Sequence, residues 1–560
     1  MTVNLVGYLV PAALCSFLLC YYLFYSFRLS PLAKIPYAHW TSPFVPCWIL
    51  WKRYRQKELN AAYQAHQRLG PIVRLGPRDL SVSSYENGIR TIYGGGFDKP
   101  TYFDFFNYYE RNNSFCSLTR KEHSTHRRRV SVVYSKSALF GSAQLLSLTQ
   151  RIIVGRLVPK LDEQALTQEP IEILTLTYAL CLDYVNAFIF GYSSGPNFLQ
   201  TESNTQLWLE HYEQRYCKES FWPQELPTIT KWLAALGVDM LPKQHIPSKH
   251  YLERWMMGLC DKANEARSLA DQGLLKDPAD IPVVYHQVQK ATEADMNGAD
   301  TQTKKLEIAS ELFDHMCTQM TLPLEAAILV ADLYLPLAGA REVLGLVLSY
   351  TLYYISQNQQ SQYRLRSELA SAGLAITITD SEPNPALPPP ASLDSLPYLT
   401  AVLKESFRMR PNSTPLPRIT PHDRAVSLAG IDNIPPGTRV NAFQWFVHRD
   451  PRLWDQPDTW LPERWLQGGK KGVDDEGVLW AFGSGPRMCV GNHLTQYSKH
   501  ILRLVFRTDT LTPWCKVMRY VIAVIYSNYR TVVFDDGSFG KHPPGSLDDR
   551  LMVRFERLHA

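Results

Sequence analysis

Ten residues, Phe482 to Gly491, constrain the fold of this 560-residue chain more than any other stretch. Glycines and a proline surround a single cysteine there, Cys489, and Arg487 stands two residues before it. Glycine lets the backbone bend closely around a sulfur atom and turn its amide groups toward it, as a thiolate bound to haem iron requires. The arginine adds a positive charge that suits a haem propionate. A buried cysteine in a glycine turn is otherwise usually structural, so the spacing has to decide.

That spacing resembles the haem-binding loop of the cytochrome P450 family, whose pattern is FxxGxRxCxG. All five fixed positions are matched, by Phe482, Gly485, Arg487, Cys489 and Gly491. The resemblance implies the mainly α cytochrome P450 fold with a small β portion, and haem b with the Cys489 thiolate as axial ligand to the iron. It also implies that Phe482, Gly485 and Arg487 help to bind this cofactor.

A second match follows Pro397, where Glu405 and Arg408 stand at i, i+3 spacing on one face of a predicted helix. By itself this indicates an ordinary helical ion pair worth a few tenths of a kcal/mol. The pair resembles the family's ExxR motif, and the segment Pro462-Glu463-Arg464-Trp465 resembles the later PERF segment. The resemblance implies a buried charge network of Glu405, Arg408 and Arg464 that is required for folding and haem retention rather than for the reaction.

Two further segments resemble the family's propionate-binding regions. Arg418 follows Pro417 as in the strand whose arginine meets a haem propionate. The stretch from Glu122 to Arg129 is similar to the WRxxR helix, with His123 in place of the tryptophan, Ser124 in place of the first arginine, and Arg127 retained. The alternative interpretation of this stretch is a solvated basic face of a helix.

The sequence departs from the family at the oxygen-activating helix, whose pattern is (A/G)Gx(D/E)T(T/S). The best match is Gly339 to Leu344, in which Glu342 keeps the acidic position and Val343 replaces the threonine that helps deliver protons. A second register pairs Ala338 and Gly339 with the first two positions and puts Arg341 and Glu342 in the acid and threonine places. Neither register supplies a threonine. The resemblance implies that Cys489 and Glu342 act in catalysis, with Glu342 helping to carry protons, and that Val343 occupies the position of the catalytic threonine without its hydroxyl.

The resemblance implies monooxygenation, and it is closest in appearance to microsomal enzymes of fungal secondary metabolism. One atom of O2 would enter a lipophilic small molecule and the other would leave as water, with NADPH electrons arriving through cytochrome P450 reductase. The thiolate of Cys489 favours O–O cleavage. Because of Val343, two alternatives stay open: a haem-thiolate isomerase or dehydratase that acts on a peroxide or pre-oxidised substrate without a reductase, and a non-catalytic haem-binding protein.

The N-terminal stretch from Leu5 to Phe27 is nearly uncharged and long enough to cross a bilayer as a helix. A cleaved signal peptide is the alternative, but no basic residue precedes the apolar run and no small-residue cleavage site follows it. The first positive charges, Arg28 and Lys34, come after the span, which predicts a cytosolic catalytic domain on the endoplasmic reticulum membrane, with a single pass. We therefore divide the chain into an anchor (1–28), a proline-containing linker (29–40) and a haem-binding catalytic domain (41–560).

The remaining patterns exclude some classes of function. Lys and Arg number 58 against 53 Asp and Glu, without a long basic run, so nucleic acid is not an expected partner. The ten cysteines form no CxxC pair, which argues against a disulfide scaffold or a zinc site.

Local patterns also predict several elements. Pro71–Leu75 and Asp79–Ser83 alternate apolar and polar residues and predict a small hairpin, whereas helical periodicity dominates from Gly141 to Leu374. The proline-rich stretch Glu382–Pro390 predicts an extended surface loop. Because Met518–Tyr526 looks like a direct continuation of the helix after Cys489, we predict that the intervening Lys499–Val517 is dispensable and is either a surface insertion or an artefact of the gene model.

Overall fold

The computed structural model describes residues 5–135, 138, 142–320, 343–411, 416–466, 479–488, 513–537, 539 and 550–558. Within these residues the chain is mainly helical with a small strand content, which confirms the expected fold class. The α-helices are α1 (Leu5–Phe24), α2 (Cys47–Tyr54), α3 (Glu58–Leu69), α4 (Arg120–Ser131), α5 (Ala143–Thr149), α6 (Val158–Thr167), α7 (Ile173–Phe190), α8 (Glu202–Arg215), α9 (Phe221–Glu225), α10 (Pro227–Ala235), α11 (His245–Asp271), α12 (Val283–Asp295), α13 (Thr301–Met320), α14 (Val343–Gln357), α15 (Gln359–Ser371), α16 (Pro390–Asp394), α17 (Pro397–Met409), α18 (Gln444–His448) and α19 (Pro513–Asn528). The strands are β1 (Ile72–Gly76), β2 (Asp79–Val82), β3 (Ile171–Glu172), β4 (Arg418–Ile419), β5 (Val426–Leu428), β6 (Ile431–Ile434), β7 (Arg439–Asn441), β8 (Tyr529–Asp535) and β9 (Met552–Arg557).

The chain divides into two compact units, of which the smaller comprises residues 1–100 and 415–447. Its main sheet has the strand order β1-β2-β7-β4, and a separate hairpin pairs β5 with β6. Strands β1 and β2 are antiparallel, with Ile72 opposite Val82, so the predicted hairpin is confirmed. Strand β2 runs parallel to β7, which brings the 415–447 segment into this sheet.

The larger unit, residues 101–414 and 448–560, is built around α7. This helix is apolar on all sides and packs against α12, α13 and α14. It is long and apolar enough to cross a membrane, but 94% of its length is buried inside the unit, which identifies it as a core helix. A three-stranded sheet, β3-β9-β8, lies in the same unit. The helical character predicted for 141–374 is confirmed for the described residues of that range.

The N-terminal helix α1 behaves differently, because the apolar window Ala12–Leu29 is only 6% buried. Its exposed apolar surface is consistent with a transmembrane anchor. After a π-helical turn, Pro31–Lys34 forms a short 3-10 helix in which the Ser30 hydroxyl accepts from Leu32 N at 3.2 Å. Arg74 of β1 donates to the carbonyl of Ser26 at 3.2 Å, so the end of the anchor segment is tied to the sheet of the smaller unit.

The proline-rich stretch Glu382–Pro390 is irregular, as predicted, but it is not wholly on the surface. Leu387 is only 8% exposed, and the Tyr520 hydroxyl of α19 donates to the carbonyl of Pro388 at 2.5 Å. The prediction of a surface loop is therefore wrong for its second half, because an apolar side chain between prolines can still reach the core.

Helix α19 contains the whole of Met518–Tyr526, which the sequence predicted to be helical. Residues 499–512 of the proposed insertion lie outside the described residues. The rest of that segment, 513–517, forms the start of α19, where a proline at the first position suits a helix.

Candidate active site

Helix α17 positions two of the predicted network residues, Glu405 and Arg408. Arg408 donates from Nε to Glu405 Oε2 at 2.9 Å and from Nη2 to Oε1 at 2.8 Å, so the pair is bidentate. Both side chains are fully buried. The remaining Arg408 hydrogens go to main-chain carbonyl oxygens of His448, Pro457 and Thr459. A surface ion pair is thereby excluded for Glu405 and Arg408.

The 3-10 turn Pro462–Trp465 brings the third predicted residue to the same carboxylate. Arg464 Nε donates to Glu405 Oε1 at 3.0 Å, and the main-chain N–H of Leu461 donates to the same oxygen at 2.9 Å. The indole of Trp465 donates to Glu405 Oε2 at 2.9 Å. Sequence reasoning assigned no role to Trp465. The feature that could have indicated this role is the indole N–H donor of a tryptophan at the last position of the PERF-like segment.

His448 links this network to the segment before the cysteine. Its carbonyl accepts from Arg408, and its Nε2 accepts from the main-chain N–H of Trp480 at 2.9 Å. Burial, together with the charges of Arg408 and Arg449, holds the pKa of His448 well below its usual value. The ring is therefore neutral, which an Nε2 acceptor requires. The sequence analysis assigned no role to His448.

The cysteine loop is described as far as Met488. Gly483 and Gly485 both have φ of +74°, a left-handed conformation that favours glycine, and a 3-10 turn spans Gly485–Arg487. The Phe482 ring lies 5.0 Å from the ring of Phe407 on α17. Cys489 and Gly491, which complete the predicted motif, lie outside the described residues.

Two predicted propionate ligands meet at this loop. Arg487 donates to the carbonyl oxygens of Ser117 at 2.8 Å and Leu118 at 2.6 Å. Arg127 of α4 donates to the carbonyl of Met488 at 2.6 Å, directly before Cys489. The structure therefore places both guanidinium groups at the cysteine loop, since Arg487 belongs to this loop and Arg127 binds the residue after Arg487.

Helix α4 is not a solvated basic face, because His123, His126 and Arg129 are all buried along one side of it. Arg129 pairs with Asp295 at 3.0 Å and with Glu307 at 2.8 Å. His126 contacts Glu311 at 2.6 Å; burial alone would lower the pKa of His126, but the hydrogen bond and charge of Glu311 raise it. Sequence reasoning missed these pairs, whose partners stand well over a hundred positions away.

The other predicted residues lie elsewhere. Arg418 begins β4 of the smaller unit, where its guanidinium is buried over the Tyr93 ring, 5.0 Å from the centroid, and donates to the carbonyl of Pro417 at 2.9 Å. Burial lowers the pKa of Arg418. Val343 is the first residue of α14, and Glu342 lies outside the described residues.

The residues present fit a haem. The loop has two left-handed glycines before Cys489, and the cations of Arg127 and Arg487 lie at this loop, where they would suit two propionates. Burial, and then the charge of Arg127, lower the pKa of His315 to about 3.

Comparison with known proteins is consistent with this chemistry. The sequence model of the cytochrome P450 family matches residues 300–506, which include the network and the cysteine. The chain is 25% identical over 463 residues to the cytochrome P450 monooxygenase avaI of Aspergillus versicolor, covering 80% of this chain and 96% of the relative. It is 25% identical over 503 residues to the monooxygenase sdnE of Sordaria araneosa, covering 87% and 88%. It is 23% identical over 479 residues to the fusicoccadiene C-8 hydroxylase of Phomopsis amygdali, covering 84% and 83%.

These matches extend the resemblance carried by the cysteine loop and the ExxR pair over most of the chain. Over most of its length the protein is therefore similar to cytochrome P450 monooxygenases, and its residues 300–506 match the model of that family, oxidoreductases that incorporate oxygen by means of a haem-thiolate iron and electrons from a reductase.

Proposed function

We propose that this enzyme inserts one oxygen atom of O2 into a lipophilic small molecule of fungal secondary metabolism, with Cys489 as the haem ligand. The observation that carries the proposal is the buried Glu405 cluster, which reaches the loop before Cys489 through His448 and Trp480. The relatives support the reaction class, since one of them is named as a hydroxylase.

The chain's own residues hold and orient the cofactor. Arg127 and Arg487 would turn from carbonyl oxygens to the propionates, with His123 as a further donor. Phe482 fixes the loop against α17 through Phe407. Haem with a thiolate ligand would supply the activation of O2. Glu342 would move protons, and Val343 has no hydroxyl to assist it.

The first prediction tests the ligand. Cys489→Ser should abolish the thiolate-specific carbon monoxide absorption band of the reduced protein, because a serine hydroxyl is a much poorer ligand to ferrous haem. Cys47→Ser is the matched control, since Cys47 is exposed, and it should keep the band. If Cys489→Ser also kept the band, another cysteine would be the ligand and the proposal would fail.

The dependence on electrons tests the reaction class. With the reductase present, product formation by the membrane-bound enzyme should require both NADPH and O2. Turnover of a peroxide or pre-oxidised substrate without either would favour the isomerase or dehydratase suggested by Val343. Absence of any turnover, with haem correctly bound, would favour a non-catalytic haem protein.

The second prediction concerns the membrane. We propose that α1 anchors the chain in the endoplasmic reticulum with the rest in the cytosol, where the N-glycosylation machinery does not act. The sequon at Asn112 is exposed, with its amide donating to Glu122 at 2.7 Å, and a second sequon begins at Asn412, outside the described residues. Both asparagines should stay unglycosylated in a eukaryotic host, as judged by mass spectrometry and by insensitivity to endoglycosidase. A glycan on either one would reverse the proposed orientation.

A further inference from the structure

Arg215, the last residue of α8, is a buried arginine that neither the family motifs nor the proposed roles explain. Arg215 is only 2% exposed. The guanidinium donates from Nη1 to His245 Nε2 at 3.1 Å and from Nη2 to the carbonyl of Phe105. Its Nε is buried and makes no hydrogen bond within the described part of the chain.

The unused position is the edge of the guanidinium that binds carboxylates. Nε and Nη2 point the same way and form a fork that matches the two oxygens of a carboxylate. In Arg408 this same edge holds both oxygens of Glu405, at 2.9 and 2.8 Å. In Arg215 the edge holds one neutral carbonyl at Nη2 and nothing at Nε. The Nε–Nη2 edge of Arg215 therefore lacks a carboxylate that would accept hydrogen bonds from both nitrogens.

Several other buried arginines of the described chain have a carboxylate partner, namely Arg53, Arg129, Arg156, Arg408 and Arg519, whereas Arg74 and Arg418 contact main-chain carbonyl oxygens. Among the described residues no carboxylate forms an ion pair with Arg215. The nearby acid, Glu253, accepts from the N–H of Tyr109 at 2.7 Å and pairs with Lys249 at 3.7 Å. The charges of Glu253 and Glu110 act on Lys249, and neither acid forms an ion pair with Arg215 within the described residues.

Aromatic rings surround the cation. The guanidinium carbon lies 4.0 Å from the centroid of the Phe105 ring, 5.3 Å from that of Tyr216 and 5.8 Å from that of Tyr108. These faces attract a cation but carry no net charge to neutralise it. They also offer an apolar surface to the body of a lipophilic ligand next to its charged end.

We propose that Arg215 binds the carboxylate of an otherwise lipophilic substrate through its Nε–Nη2 edge, in place of the Phe105 carbonyl. The inference rests on the proposed function, whose substrate class it narrows to organic acids. His245 is the positioning residue, since it accepts from Nη1 and fixes the plane of the guanidinium. Burial, and then the charge of Arg215, lower the pKa of His245 to about 4, so the ring remains a neutral acceptor near neutral pH.

The test compares two probes of the same shape, 4-phenylbutanoate and its neutral amide 4-phenylbutanamide, on the full-length haem-loaded protein in detergent at neutral pH. Binding is followed by the change in haem absorbance and, independently, by the ligand-induced rise in melting temperature. The wild type should bind the acid at least about tenfold more tightly than the amide. Arg215→Met, which keeps the apolar stem, should bind both probes alike. Arg254→Met is the control, because Arg254 is exposed on α11, and it should keep the preference.

A second measurement separates binding from a merely structural role. An arginine retained for a ligand costs stability while the ligand is absent, so ligand-free Arg215→Met should melt at or above the wild-type temperature. A lower melting temperature would assign Arg215 to the fold and overturn the inference, as would equal binding of the two probes by the wild type. The carbon monoxide band reports on the proposed function separately: its loss in the wild type would defeat that function, whereas its presence with no preference for the acid would defeat only this inference.

Discussion

Glu405 is a fully buried carboxylate whose oxygens are occupied from several directions. Arg408 and Arg464 supply the charges, while Leu461 N and the Trp465 indole fill remaining acceptor positions. Taking such charges out of water costs several kcal/mol, and only complete hydrogen bonding offsets it. The cluster therefore has little tolerance for the loss of one member.

The third prediction follows at this scale. Glu405→Gln should lower the free energy of unfolding by about 3–5 kcal/mol, because it leaves two buried arginines without a counter-charge. Glu463→Gln is the matched control: its side chain is 42% exposed and pairs with Arg364 at the surface, so the cost should be about 1 kcal/mol or less. Urea unfolding and haem content per protein measure both. Equal losses of unfolding free energy in the two variants would show that the buried ion pairs of Glu405 contribute no more to stability than the surface ion pair of Glu463.

Spacing predicted part of this site and missed the rest for a physical reason. The i, i+3 separation of Glu405 and Arg408 fixes their contact within one helix, so that part could be read directly. The prediction that Arg464 also contacts Glu405 came only from the family resemblance. The role of His448 depends on how Trp480 packs against it across 32 residues of chain, which no local pattern encodes.

At the scale of the element, the cysteine loop depends on backbone conformations that few residues adopt. Gly483 has φ of +74°, and a Cβ added there would meet nothing within 4 Å. A substitution would therefore be opposed by backbone strain alone, without a steric clash. The loop holds its shape because glycine carries no such penalty.

The fourth prediction concerns a substitution at Gly483 that would introduce backbone strain without a steric clash. Gly483→Ala should cost about 1–2 kcal/mol and lower the haem content, since alanine resists the left-handed region. Gly155→Ala is the control in the helical segment Gln150–Leu157, where a Cβ also meets nothing within 4 Å, and it should stabilise by about 0.4–1 kcal/mol. Differential urea unfolding checks both. A neutral Gly483→Ala would mean that the loop adopts another conformation.

Periodicity recovered the larger elements of the fold but not the small ones. The β1–β2 hairpin and helix α17 followed from alternation and helical spacing, and both are confirmed. Strand β3 has two residues and exists because β9 pairs with it from the far end of the chain. The same limit applies to Leu387, whose burial depends on the surrounding helices rather than on its prolines.

At the scale of the whole molecule, both units bury histidines that stay neutral. Burial lowers the pKa of His66, in the smaller unit, to about 4, although the Gly70 carbonyl opposes the shift. In the larger unit, burial together with the charge of Arg215 lowers the pKa of His245 to about 4. An unfolded histidine titrates near 6.5. Between these values the unfolded chain binds protons that the native protein does not.

The last prediction is the resulting pH dependence. Because the native pKa values are depressed, their stabilising contribution is fully present above pH 6.5 and is lost as the pH falls toward about 4. Each such histidine should add about 1.4 kcal/mol per pH unit to the slope of unfolding free energy within this window. His66→Gln should reduce the slope by about that amount, since glutamine does not titrate while its amide still offers hydrogen bonds toward Gly70 and Ser81. Urea unfolding at several pH values between 4.5 and 7.5 measures the slope. A slope unchanged by His66→Gln would mean that His66 is protonated in the native protein and that its burial is not maintained in solution.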